Sequence, residues 1–113
     1  MINGVHLIIY SKDAEADKVF FRDVLKLNNV DVGRGWLIFA LPPSELAVHP
    51  SEGNEQQEIY LMCEDIDVFI SEMAKQKIKC SEVQDQRWGK LVQLTLPGGG
   101  KLGVYEPKHA RPN

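Results

Sequence analysis

Residues 93–107 read QLTLPGGGKLGVYEP, and the glycine triplet at the centre admits two readings. A phosphate cradle sets its glycines between a strand and a helix N-terminus, with Lys and then Ser or Thr after them. A strand-to-strand turn sets them between two runs of alternating apolar residues. Here Leu94 and Leu96 precede the glycines, and Leu102 and Val104 follow them with the period of a strand. The stretch therefore predicts a strand over 91–96, a turn at 98–100 and a strand over 102–105 with Gly103 in its middle.

Upstream of that hairpin, Ile59-Tyr60-Leu61-Met62-Cys63 reads as a strand. Asp65 then caps a helix whose apolar stripe is Ile66, Phe69, Ile70, Met73 and Ala74, with Lys75, Lys77 and Lys79 toward its negative end. A short strand near 82–83 completes the order βαβββ. The same order occurs earlier in the chain. Val5 to Tyr10 is a strand, Asp13 caps a helix carrying Ala16, Phe20, Val24 and Leu27, Asn28-Asn29 stops it, and strands follow near 30–32, 36–40 and 46–49. Asp13 and Asp65 stand 52 residues apart, a spacing that also pairs His6 with Glu58. Further on, Leu41-Pro42 aligns with Leu96-Pro97 and Leu46-Ala47-Val48 with Leu102-Gly103-Val104. The chain thus reads as a single domain, 1–113, built of modules 1–55 and 56–113, the glycine triplet serving as a turn in the second.

Side chains alternate across a strand, so each strand divides into two faces. Val5, Leu7 and Ile9, then Leu46 and Val48, Ile59, Leu61 and Cys63, and finally Leu102 and Val104 form an apolar face expected to pack under the helices. The opposite face is mixed. It carries His6, Ile8 and Tyr10; Ala47 and His49; Glu58, Tyr60 and Met62; and Lys101, Gly103 and Tyr105. A sheet curved around that face forms a cup lined by two histidines, a glutamate and aromatic rings, suited to a small organic ligand.

A length of 113 residues suffices for one core but not two independent ones. The apolar share of 43% and charged share of 26% are ordinary for a globular chain, and no apolar run approaches the roughly 18 residues a bilayer-spanning helix needs. The first residues lack a basic flank before an apolar run, so no secretory signal is read and a cytoplasmic location is expected. A net charge of -3 without basic runs argues against nucleic acid as partner. Cys63 and Cys80 lack metal-ligand spacing and are expected as reduced, structural thiols. His109, in the final segment, is expected at the surface.

The paired βαβββ order, the strand His in Val5-His6-Leu7-Ile8-Ile9-Tyr10 and the closing Leu96-Pro97-Gly98-Gly99-Gly100-Lys101-Leu102 turn resemble the vicinal oxygen chelate superfamily. That superfamily includes glyoxalase I, extradiol dioxygenases and bleomycin or fosfomycin resistance proteins. The resemblance spans essentially the whole chain. It implies an α+β fold in which two βαβββ modules form a curved mixed sheet, a half-barrel cup with the helices outside, and a homodimeric assembly. It also implies metal ligands from one inward position on the first and last strands of each module, which assigns His6 and Glu58. At the other two such positions stand Ala47 and Gly103, which bind no metal. His49 and Tyr105 lie two residues further along the same faces, so a metal set of His6, His49 and Glu58 is the expectation, suited to Fe, Mn, Ni, Co or Zn. A metal-free cup is equally open. Tyr10, Trp36, Tyr60, Trp88 and Tyr105 are the candidate ligand-pocket residues, and no residue is assigned a catalytic role.

Two functions follow from the resemblance. One is a metal-dependent lyase, isomerase or dioxygenase acting on adjacent oxygens. A true glyoxalase I is disfavoured within that class, because Gly103 supplies no carboxylate. The other is metal-free sequestration of the antibiotic-resistance type, favoured by Gly103 and Ala47. A purely structural or interaction module is the least supported, since the mixed face would then be expected to be apolar.

Overall fold

The computed structural model describes residues 6–50, 52–54 and 57–111. In chain order these form α1 (Ala14–Val19), continued by a π-helical turn over Phe20–Val24, then β1 (Asn29–Asp31), β2 (Leu37–Phe39), β3 (Tyr60–Met62), α2 (Ile66–Lys75), β4 (Gln84–Asp85), β5 (Gly89–Thr95) and β6 (Lys101–Pro107). β1 and β2 make an antiparallel pair, and the other four strands make one sheet in the order β3-β6-β5-β4. β3 runs parallel to β6, while β5 pairs antiparallel with both β6 and β4. The result is the α+β fold expected from the sequence, with mixed sheets that do not close into a barrel.

Both helices start where their caps predict. The Asp13 carboxylate accepts the Ala16 N–H, and the Asp65 carboxylate accepts those of Asp67 and Val68. α2 ends on Lys77 in the left-handed region, φ 60°. There the Lys77 N–H donates to the Ala74 carbonyl and the Ile78 N–H to the Met73 carbonyl, a Schellman termination that also seats Ile78 on the core. The first helix ends earlier than Asn28-Asn29. Its π-helical turn closes at Leu25, and Lys26 takes φ 57°, a local backbone choice that no asparagine signals.

The register explains the core. Val92 faces Val104 and Leu94 faces Leu102, so one apolar face of β5 and β6 continues into Leu96. Phe20 from the first helix and Ile66 and Met73 from α2 pack onto that face. Burial of these side chains is the main stabilising term, at roughly 1.5–3 kcal/mol for each large one.

Asp17 joins α1 to the glycine turn. Its carboxylate is buried and accepts the Gly98 N–H at 2.7 Å. A Cβ on Gly98 would collide with Ser11 Oγ, and Gly99 holds φ 98°, so this turn requires glycine twice over.

The strands expected near 82–83, 91–96 and 102–105 appear as β4, β5 and β6 with shifted or longer bounds. Two other expectations are corrected. Residues 6–10 and 46–49 form no ladder among the described residues, and Val5 lies outside them. Leu46 and Val48, expected under a helix, are 90% and 86% exposed. Alternation marks one face of a segment as apolar but does not supply what covers it. In 6–10 the alternation survives in part, since Leu7 and Ile9 are better covered than Ile8 and Tyr10. No described helix is long and apolar enough to cross a membrane.

Candidate functional site

The sheet face opposite the helices carries the site. Pairing of Tyr60 with Gly103, Met62 with Tyr105 and Leu91 with Tyr105 places residues from three strands side by side on it. Three aromatic rings meet there in edge-to-face contact. Tyr60 and Trp88 have centroids 6.0 Å apart, Tyr60 and Tyr105 5.8 Å, and Trp88 and Tyr105 5.1 Å. Such pairs contribute about 0.5–1.5 kcal/mol beyond the area they bury.

Gly103 and Gly89 make this cluster possible. A Cβ on Gly103 would strike the Tyr60 ring, and one on Gly89 would come 3.0 Å from Tyr105 Cδ2. The Tyr60 ring thus lies against Gly103. The space that the missing side chain leaves is taken by tyrosine.

Each tyrosine hydroxyl meets a carboxylate. Tyr60 donates to Glu58 Oε2 at 2.6 Å. That hydrogen bond, with burial, pushes its hydroxyl up to about 12. Tyr105 donates to Glu45 Oε1 at 3.3 Å, and its hydroxyl is also raised, first by burial and then by the Glu45 charge. His109 Nε2 lies 3.2 Å from the Tyr105 hydroxyl and 3.5 Å from Glu45 Oε1. Arg111 completes the group, with Nε 3.7 Å from Glu45 Oε2 and Nη2 donating to Met62 Sδ at 3.1 Å.

Beside the cluster opens a cleft of about 410 Å³, lined by Ile8, Ile9, Gln57, Glu58, Ile59, Tyr60, Gln93, Leu96, Lys101, Leu102 and Gly103. Its lining is mixed, with Gln57, Glu58, Tyr60, Gln93 and Lys101 set among the isoleucines and leucines. A second hollow of about 410 Å³ lies at the glycine turn, between Tyr10, Asp17 and residues 98–101.

The sequence-derived site residues divide accordingly. Tyr60, Trp88 and Tyr105 come together, and Glu58 joins them through Tyr60. Tyr10 is 90% exposed and belongs to the second hollow. Trp36 sits beyond the end of β1 with Lys18 Nζ 5.6 Å above its ring. His6 and His49 are exposed and make no hydrogen bond or ion pair among the described residues. No three His, Cys, Asp or Glu side chains gather as metal donors among the described residues.

Sequence reading missed Glu45 and Arg111; it placed His109 at the surface, where it is, but not its contacts with Tyr105 and Glu45. Glu45 follows the proline pair at 42–43, and the other two stand in the final segment. Long-range ties, among them the Lys108 N–H to the Trp88 carbonyl, bring that segment back over the sheet. Cys63 and Cys80 are free thiols, both raised by burial, Cys63 to about 11 with Glu106 adding to the effect.

No protein-family model and no curated protein sequence matches the chain. Solved structures do resemble it. TnmS3, an antibiotic binding protein from Streptomyces sp. CB03234, superposes with a TM-score of 0.71 at 18% identity, covering 95% of this chain and 98% of its own. A lactoylglutathione lyase from Agrobacterium tumefaciens gives 0.63 at 16% identity, over 91% and 92% of the two chains. A glyoxylase/bleomycin resistance protein/dioxygenase domain from Frankia sp. EAN1pec gives 0.61 at 13% identity, over 96% and 100%. The fold is therefore the one these antibiotic binding, lyase and glyoxylase/bleomycin resistance protein/dioxygenase structures share.

Proposed function

We propose that the protein binds a small organic molecule on the cup face of its four-stranded sheet, holding the ligand without transforming it. The observation that carries this reading is the cleft of about 410 Å³ running from Glu58 and Gly103 to the Tyr60 ring, which itself contacts Trp88 and Tyr105. Aromatic rings give a planar ligand contact area at little conformational cost, and the carboxylates and Gln93 supply orientation. The antibiotic binding protein from Streptomyces shares this fold, which is compatible with sequestration.

A divalent transition metal held by His6, His49 and Glu58 is the second reading, and with it a lyase, isomerase or dioxygenase activity. One observation favours it. Ile8, which shares a strand face with His6 in the sequence reading, lines the same cleft as Glu58. Residues 6–10 and 46–50 would have to close over the cup to assemble the donors.

The assembly proposed is a homodimer in the cytoplasm. Leu7, Ile8, Tyr10, Leu46 and Val48 expose apolar surface on segments without ladder partners among the described residues, and a second copy is the simplest cover for them. Sedimentation should show a dimer at micromolar concentration, and a monomer there would remove the dimer from the account.

Calorimetric screening of planar organic compounds against tag-free, chelator-free protein, with elemental analysis of the same sample, tests the functional reading. Ligand binding that survives chelation, by protein lacking stoichiometric metal, is expected. Stoichiometric metal that disappears in both His6→Ala and His49→Ala would favour the second reading instead.

A further inference from the structure

The final described segment lies across the cup rather than away from it. The Lys108 N–H donates to the Trp88 carbonyl at 2.8 Å, and Lys108 Nζ pairs with Asp85. That anchor sets the His109 ring 6.0 Å from the Tyr105 ring and carries Arg111 to Glu45 and Met62. The Glu45 side chain is only 18% exposed. A half-buried carboxylate beside an aromatic ring favours a donor or a cation opposite it. Besides the Tyr105 hydroxyl, what it has are two side chains of the chain's own tail. The Arg111 side chain remains 47% exposed, so its hold on Glu45 is that of a replaceable surface partner.

Resting on the small-molecule-binding reading above, we propose that the Glu45 end of the cup is a subsite for the positive end of an organic cation with a planar aromatic part. The segment 108–111 is a tethered stand-in for that ligand, with Arg111 in the cation's place. An amidinium or guanidinium matches a carboxylate in charge and in two-pronged geometry, and the Trp88 and Tyr105 rings favour a cation and an aromatic group alike. The sign of the ligand follows from what faces the subsite. Glu45 lies at one end of the cluster and Glu58 at the other. Lys101, which also lines the cleft, has its ammonium on Thr95 Oγ1 at 2.7 Å. The tail competes with the ligand, so a tail seated nine-tenths of the time weakens apparent affinity about tenfold.

Calorimetric titration of the full chain with benzamidinium, benzyl alcohol and benzoate tests this, alongside Arg111→Ala, Arg111→Lys and Glu45→Gln. The parent should prefer benzamidinium to both controls. Arg111→Ala should bind it roughly tenfold more tightly, whereas Arg111→Lys, which keeps the charge, stays near the parent. Glu45→Gln should lose the preference for the cation while still binding benzyl alcohol. Benzamidinium affinity that is unchanged or weaker in Arg111→Ala, or a cation preference that survives in Glu45→Gln, overturns the proposal. Neutral aromatic binding at the cup that ignores both residues overturns this inference alone, leaving the ligand-binding reading in place. Absence of binding by all three probes overturns this inference, while a negative result in the wider compound screen is what overturns the ligand-binding reading.

Discussion

Residues 57–107 and residues 6–50 use the same element types to different ends. The later region has a four-stranded sheet whose apolar face is fully covered, with Val92, Leu94 and Val104 each 1% exposed or less. The earlier region has a helix, one two-stranded hairpin and two extended segments whose leucines and valines face outward. The first helix lends its Phe20 to the later sheet rather than to one of its own. The difference teaches where the molecule keeps its core and where it leaves apolar side chains exposed. The later region is a finished platform, and the earlier one keeps Leu46 and Val48 at its surface.

The largest expected effect breaks or confirms that contrast. Leu94→Ala removes a fully buried side chain and should cost about 2–5 kcal/mol, whereas Leu46→Ala should change monomer stability by less than about 0.5 kcal/mol. Denaturant unfolding of the two variants measures both, and equal losses would end the distinction. Next come the contacts that position the site. Gly103→Ala forces a methyl into the Tyr60 ring and should cost about 1–3 kcal/mol, much of it recovered in the double variant with Tyr60→Ala. Gly100→Ala, with open space around it, should be close to neutral. Asp17→Ala strands the Gly98 N–H and should cost about 1–3 kcal/mol, uncoupling α1 from the turn.

Smaller effects sharpen the picture of the cup. Tyr60 titrates higher when folded than a free tyrosine, so the folded state holds its proton longer than the unfolded state does. The resulting stability is fully present below the free-tyrosine value of about 10 and is lost as pH rises toward about 12. Ultraviolet titration should show a late phenolate step that loses one tyrosine's amplitude in Tyr60→Phe, the raised Tyr105 hydroxyl remaining. Cys63, raised to about 11, should react sluggishly with alkylating reagents near neutrality until the protein unfolds.

Legibility in the sequence follows the same division. The turn at 98–100, the caps Asp13 and Asp65 and the two faces of β5 and β6 are local signals, and local signals give the later sheet almost entirely. The aromatic trio was legible for Tyr60 and Tyr105, because alternation alone puts them on one face. Glu45, His109 and Arg111 were not, because their meeting depends on how a loop and a tail return over the sheet. Leu46 and Val48 show the reverse failure, an apolar alternation correctly seen and given a burial that the chain by itself does not provide.

The two tryptophans offer the most direct test, since Trp88 belongs to the cup cluster and Trp36 stands over Lys18 away from it. Their indole N–H signals, assigned with Trp36→Phe, can be followed by NMR while the highest-affinity planar ligand from the screen is added. The account predicts that the Trp88 signal shifts on binding and the Trp36 signal stays in place. A shift confined to Trp36, with Trp88 unmoved at saturation, would contradict it.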